Sequence, residues 1–263
     1  MMRKPLLLAA AVLALAACRK EQAEVDRDYT SAVDDNLAEN FFNDALKQAD
    51  MAADENGLRD ALDNCIDSIA FDTVSMPHTL YIDFGTDDCT GSDGRRRRGA
   101  LLVTFTGPYR AEGTVITITT VDYHVNDYLV EGTKTVTNMG ANSDGDPYFS
   151  VQVDGTVTAP NGDWTAEHHA TRTRTWIAGE DTATPWDDVY LITGSGNGVN
   201  RNGLSYTLSI TTALRIEIGC PYIVSGKLEI TPGSLPTRYV DFGVGSCDAT
   251  VSVTVNGVVF YFN

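Results

Sequence analysis

The chain has 263 residues, with 19 Lys and Arg against 36 Asp and Glu, a formal net charge of −17 and a sequence pI near 4.4. That acidity argues against nucleic acid as a partner, because such binding rests on Lys and Arg contacts to phosphate. Apolar residues make up 43% of the chain, enough at this length for one sizeable core, and no apolar run beyond the N-terminus is long enough to cross a membrane as a helix.

In chain order, the first element is Met1–Cys18. Arg3 and Lys4 form a positive start, Leu6–Ala14 an apolar stretch, and Leu15-Ala16-Ala17-Cys18 a run of small residues ending in cysteine. This pattern predicts a secretory signal over residues 1–17. Its ending looks like a bacterial lipobox, where the signal is cut before the cysteine and the thiol carries diacylglycerol. Further acylation, by palmitate among others, would complete a stable membrane anchor at Cys18. With Arg3 and Lys4 gone, 36 acids face 17 bases, a formal charge of −19. Arg19, rather than Asp, follows Cys18, which points to sorting to the outer membrane, facing the periplasm or the cell surface. Residues 18–29 read as a polar, lipidated tether.

A helix is expected over residues 31–55. Val33, Leu37, Phe41, Ala45 and Ala49 recur at helical spacing, Ser31 is placed to cap it, and Asn56-Gly57 ends it. One apolar stripe on an acidic helix predicts an amphipathic element packed on the chain's own sheet.

Without Cys18, four cysteines remain, and an even count in an exported chain suggests disulfides. Tyr81-Ile82-Asp83-Phe84-Gly85 precedes Cys89 as Tyr239-Val240-Asp241-Phe242-Gly243 precedes Cys247, and each motif has a cysteine upstream, Cys65 and Cys220. The repeat selects Cys65–Cys89 and Cys220–Cys247 from three possible connectivities. A zinc site would want close Cys-x-x-Cys pairs, which the sequence lacks.

From about His78 onward, Thr alternating with Val, Ile or Ala marks half-buried strands, separated by turns such as Asn126-Asp127, Asn161-Gly162 and Asn202-Gly203. Asn256-Gly257 between two valine-rich runs is the strongest hairpin signal. The spacing predicts a mainly β chain: a curved or barrel-like antiparallel meander of about eleven or twelve strands, forming with the helix one domain over residues 30–263. A two-sheet sandwich is the alternative. Gly194–Gly198 reads as a loose glycine turn.

Sites are less legible. No nucleophile elbow, zinc-protease or phosphate-loop motif is present, and no cofactor or metal site is expected. Asn142, Asp144 and Asp146 alternate like calcium ligands, yet the glycine is misplaced, so a polar turn is expected. The run Arg95–Arg98 would either touch anionic lipid or balance the acidic helix as a solvated loop. Trp164, His168, Arg172, Arg174 and Trp176 share one strand parity and form a candidate binding strip, or else a solvated face of Arg stems over Trp rings.

The segments Val103-Thr104-Phe105-Thr106-Gly107-Pro108-Tyr109-Arg110, Val130-Glu131-Gly132-Thr133-Lys134, Thr171-Arg172-Thr173-Arg174-Thr175-Trp176 and Asn200-Arg201-Asn202-Gly203 resemble a family of β-rich outer-membrane lipoproteins of Bacteroidota-type bacteria. The resemblance covers most of the mature chain. It implies an envelope location and brings no activity with it. The expectation is therefore a lipid-anchored, non-enzymatic binding or structural component of the outer membrane, with a protein, glycan or lipid as ligand. An envelope-polymer hydrolase and a lipid or lipoprotein carrier are the alternatives.

Overall fold

A computed structural model describes residues 26–53, 65–109, 111–182 and 184–262. The signal, Cys18, the start of the tether and the expected last helical residues 54–55 lie outside them.

One helix, α1 (Thr30–Ala53), precedes the strands β1 (Ser68–Asp72), β2 (His78–Asp83), β3 (Cys89–Thr90), β4 (Arg96–Phe105), β5 (Val115–Val125), β6 (Tyr128–Ala141) and β7 (Pro147–Thr158). There follow β8 (Thr165–Ala178), β9 (Val189–Val199), β10 (Ser205–Glu217), β11 (Ile223–Pro232), β12 (Arg238–Val244), β13 (Val251–Val255) and β14 (Val258–Phe262). All fourteen belong to one antiparallel sheet in chain order, except that β3 pairs only with β4. One continuous sheet replaces the sandwich alternative. The extra strands beyond the eleven or twelve expected come chiefly from the short β1 and β3.

The sheet curves around α1, which touches β2, β4 through β8, and β11. Phe41, Phe42, Ala45, Leu46 and Ala49 join a core with β2–β8, while Tyr29 and Ala32 join a second core with β8–β14. Helix burial is not confined to one stripe: Ser31, Asp34, Asp35, Glu39, Asp44 and Gln48 are all buried. The helix packs on the sheet as expected, but its acids are buried as well as its apolar stripe. The sheet supplies a basic partner for most of those acids.

The helix also starts differently. Asp28 Oδ1 accepts from the Thr30 backbone N–H at 2.8 Å and caps it, while the Ser31 hydroxyl accepts from Asn200 Nδ2 at 2.9 Å.

Gly194–Gly198 is not a turn but the second half of β9. The missing side chains make room for inward-reaching neighbours. A Cβ on Gly198 would lie 2.5 Å from the Tyr206 hydroxyl oxygen on its way to the helix. Gly198 belongs to a row across the sheet, Gly132–Gly155–His168–Gly198–Tyr206, in which each residue is the register partner of the next. A Cβ on Gly155 would sit 2.3 Å from Phe42 Cζ. This trough lets the helix backbone approach the sheet.

Cys65–Cys89 and Cys220–Cys247 are paired at disulfide distance, closing segments of 24 and 27 residues. The first pair ties the segment after α1 to β3, and the second ties the β10–β11 turn to the loop before β13.

Candidate functional site: a buried charge seam and the pocket at its end

Alternation on β8 places His168, Arg172, Arg174 and Trp176 on the inner face, as their shared parity requires. Trp164, just before the strand, is half-buried. The strip thus exists as a face, but most of it meets the chain's own helix rather than solvent. His168 Nδ1 lies 3.1 Å from Asp35 Oδ1, and its Nε2 lies 3.6 Å from Glu39. Arg172 donates to Glu39 at 3.2 Å and to the Ser195 carbonyl. Trp164 carries the Arg201 guanidinium 4.0 Å above its ring, and Arg201 Nε donates to Asp34 at 2.7 Å.

The basic run divides by the same rule. Arg97, fully buried, donates to both Asp44 oxygens at 2.9 and 2.6 Å and to Asp93, and Arg95 reaches Asp44 at 2.9 Å. Arg96 and Arg98 point outward to Asp127 and Asp88. The run therefore clamps the helix from inside instead of forming a solvated loop. Tyr123 Oη adds a 2.9 Å bond to Asp44, and Lys134 donates to Asn43 Oδ1 at 2.7 Å.

These contacts fix the charge states. Burial alone would raise the Asp44 pKa, but Arg97 and Arg95 outweigh it and hold the carboxyl down at about 2. Glu39 is likewise pulled well below the usual carboxylate range, as Arg172 and the His168 hydrogen bond overcome desolvation. Burial works against a charged imidazole at His168, yet bonds to Asp35 and Glu39 raise its pKa to about 9. Lys134 is the exception: desolvation dominates and lowers it to about 8. The seam thus holds Glu39 and Asp44 on the helix as carboxylates against the charged His168 and arginines of the sheet.

Sequence reasoning missed Arg97, Lys134 and Arg201 as members of this seam. A signal was available for two of them. Lys134 shares parity with Val130 and Val136, and Arg97 with Leu101, Val103 and Phe105, so both basic residues occupy inward positions.

Where the strip runs out towards the C-terminal end of α1, a pocket of about 470 Å³ opens. Phe149, Trp176, Tyr109 and Tyr190 supply ring surface, and Arg174, Asp50, Glu112 and Glu180 supply charge. Arg174 stacks 3.5 Å from the Tyr190 ring centre and lies 3.4 Å from Asp50, which accepts from Tyr109 Oη at 2.8 Å. Burial pushes the Tyr190 hydroxyl up, so it stays protonated, and it donates to Asp188 Oδ2 at 3.2 Å. By contrast, two gaps between helix and sheet measure about 40 and 30 Å³, room for a water or two.

On the outer face of β6–β9 lies a groove of about 420 Å³ lined by Asp154, His169, Ser195 and Asn197, with His169 Nδ1 3.1 Å from Asp154. Asn142 Oδ1 accepts from the backbone of Asp144 and Asp146, both at 2.9 Å, so these residues build a turn. Among the described residues, no cluster of three or more metal-ligating side chains occurs.

No protein-family model, curated protein or solved structure matches this chain.

Proposed function

We propose that the chain is a lipid-anchored component of a bacterial outer membrane. In this reading acyl chains on Cys18 hold it to the envelope, and its body is a non-enzymatic binding module that takes a ligand in the pocket beside Arg174 and Trp176. The location rests on the signal and lipobox pattern of residues 1–18. The binding role rests on one observation: the largest pocket described combines four aromatic side chains with an arginine and three carboxylates. Aromatic walls with a few placed polar groups are the usual lining of a ligand site. With three acids against one base the pocket favours hydroxyl-rich, uncharged ligands over anions. Carboxylates and guanidinium would bond ring hydroxyls while the aromatic faces cover the apolar side of the ring. A neutral saccharide meets that description.

The hydrolase reading has one observation in its favour, the Asp154–His169 pair beside Ser195 in the outer groove. One experiment addresses both. The mature chain with Cys18→Ala is titrated calorimetrically with neutral and acidic oligosaccharides, and products are followed chromatographically. Saturable binding of a neutral glycan, weakened by Glu112→Gln and Glu180→Gln, supports the binding module. Turnover lost in Ser195→Ala supports the hydrolase. Absence of saturable glycan binding overturns the pocket assignment.

A further inference from the structure

The start of the described chain is pinned at one corner of the sheet. Asp26 accepts from Arg238 Nη2 at 2.7 Å through its side chain and from Asn256 Nδ2 at 2.6 Å through its carbonyl. The Asp28 carbonyl accepts from Arg238 Nε at 2.9 Å, and Tyr29 stacks on Phe260 at 4.9 Å. Arg238 opens β12, and Asn256 makes the β13–β14 turn, so the tether leaves the body at the turn end of the last three strands.

The outward face of those strands, next to that exit, carries three exposed large apolar side chains, Tyr239, Val259 and Tyr261. Tyr239, Thr254 and Val259 are register partners in one row across β12, β13 and β14, and Asp241, Ser252 and Tyr261 form the next. Tyr239, Val259 and Tyr261 are exposed by 55, 49 and 69%. Asp241 is paired with Lys227 at 2.8 Å, and on β11 the row continues to Glu229, the register partner of Tyr239. Only seven residues lie between Cys18 and Asp26, eight chain steps with a reach of at most about 28 Å when fully extended. An acylated Cys18 therefore keeps this corner within about 28 Å of the bilayer surface. Tyrosine with a neighbouring aliphatic side chain suits the headgroup boundary, where a ring can be half apolar and half wet.

We infer that the outward face of β12–β14, through Tyr239, Val259 and Tyr261, rests on the lipid headgroup interface and orients the body on the membrane. This builds on the lipid-anchor reading, and the test separates the two. Mass spectrometry of the Cys18 peptide comes first; an unmodified thiol overturns the anchor and the docking with it. The acylated Val259→Cys protein is then labelled with an environment-sensitive fluorophore and reconstituted into phosphatidylethanolamine–phosphatidylglycerol vesicles. The same label at Val121, on distant β5, is the control. The expected result is a blue shift and quenching by nitroxide lipids at position 259 and not at 121, both lost when Tyr239→Ser and Tyr261→Ser are added. Equal signals at 259 and 121 in acylated protein overturn the docking and leave the anchor standing. A shift at 259 that needs no vesicles and grows with protein concentration assigns the face to a second copy of the chain, and also overturns it.

Discussion

Asp44 is the side chain on which the buried seam is most concentrated. It is fully buried, accepts from Arg97 twice and from Tyr123, and forms an ion pair with Arg95. Replacing it with alanine leaves Arg97 with Asp93 as its remaining carboxylate and removes the acceptor of Tyr123. Breaking a buried ion pair from one side typically costs about 3–5 kcal/mol, because the stranded charge stays desolvated. For a domain of this size, each kcal/mol moves the melting temperature by about 2–4 °C. Asp44→Ala should therefore melt about 6–20 °C below the parent, measured by circular dichroism on the mature chain with Cys18→Ala. The double variant Asp44→Leu with Arg97→Met should recover much of the loss, since an apolar pair of similar volume needs no counter-charge. A single-variant loss below about 1 kcal/mol, the value of an exposed pair, would refute the claim that the seam holds the helix.

Three further outcomes follow from the same geometry. Glu39 and Asp44 are depressed on folding, so their contribution is full above the ordinary carboxylate range and drains away as pH falls from about 4 towards 2; His168 is raised from 6.5 to about 9, so its share, about 3 kcal/mol, is full below pH 6.5 and is lost as pH rises through 9. Lys134 runs the other way, its penalty easing between about pH 8 and 10.5, so urea midpoints at pH 6 and 9.5 should be compared with His168→Asn, in which the loss assigned to His168 disappears. Gly155→Val should cost at least about 1–3 kcal/mol by driving Cβ into Phe42, with only partial rescue by Phe42→Ala because the Glu131 carbonyl is also within 2.5 Å; an unchanged melting temperature would contradict the trough. Replacing Cys220 and Cys247 with alanine should lower stability by about 3–4 kcal/mol in the chain-entropy model, and the parent should resist alkylation until reductant is added.

Much of the architecture can be read from local patterns, because period-two alternation is a direct imprint of a sheet with one face buried. The meander, its turns and the Asn256-Gly257 hairpin follow from that imprint. The cysteine pairs were legible through the repeated Tyr-x-Asp-Phe-Gly motif. Two things were hidden. Glycines in β9 look like a turn because local propensity says nothing of a tyrosine arriving from the next strand. Acids on α1 look solvated because nothing in a helical wheel shows that Arg97, Arg172 and Arg201, up to 167 residues away, will face them. Parity assembled the strip on β8 correctly, but parity cannot tell an inner face meeting a helix from an outer face meeting a ligand. The pocket at its end needed the fold, since its lining comes from α1, β5 to β9 and the loops between them.

The seam explains why a curved sheet of this length carries a polar helix rather than an oily one. An apolar helix against an apolar concave face could slide or rotate at little cost, since hydrophobic contact is non-directional. Here each acid has its own base: Asp34 with Arg201, Asp35 with His168, Glu39 with Arg172, Asp44 with Arg97. A shift by one turn would strand several buried charges together, so the pairing fixes the helix in one register. That register in turn sets where Asp26 meets Arg238 and Asn256, contacts 212 and 230 residues apart in the chain. The point from which the tether leaves is thus decided by strands at the far end of the sequence, and only once they have formed. Under the proposed anchor at Cys18, that coupling would let the body present one face outward. Loosening it, by Arg238→Met, should leave the sheet intact and randomise orientation on vesicles. Fluorescence at position 259 reads that directly: retention of the membrane-facing signal in Arg238→Met would mean that the apolar face alone sets the orientation.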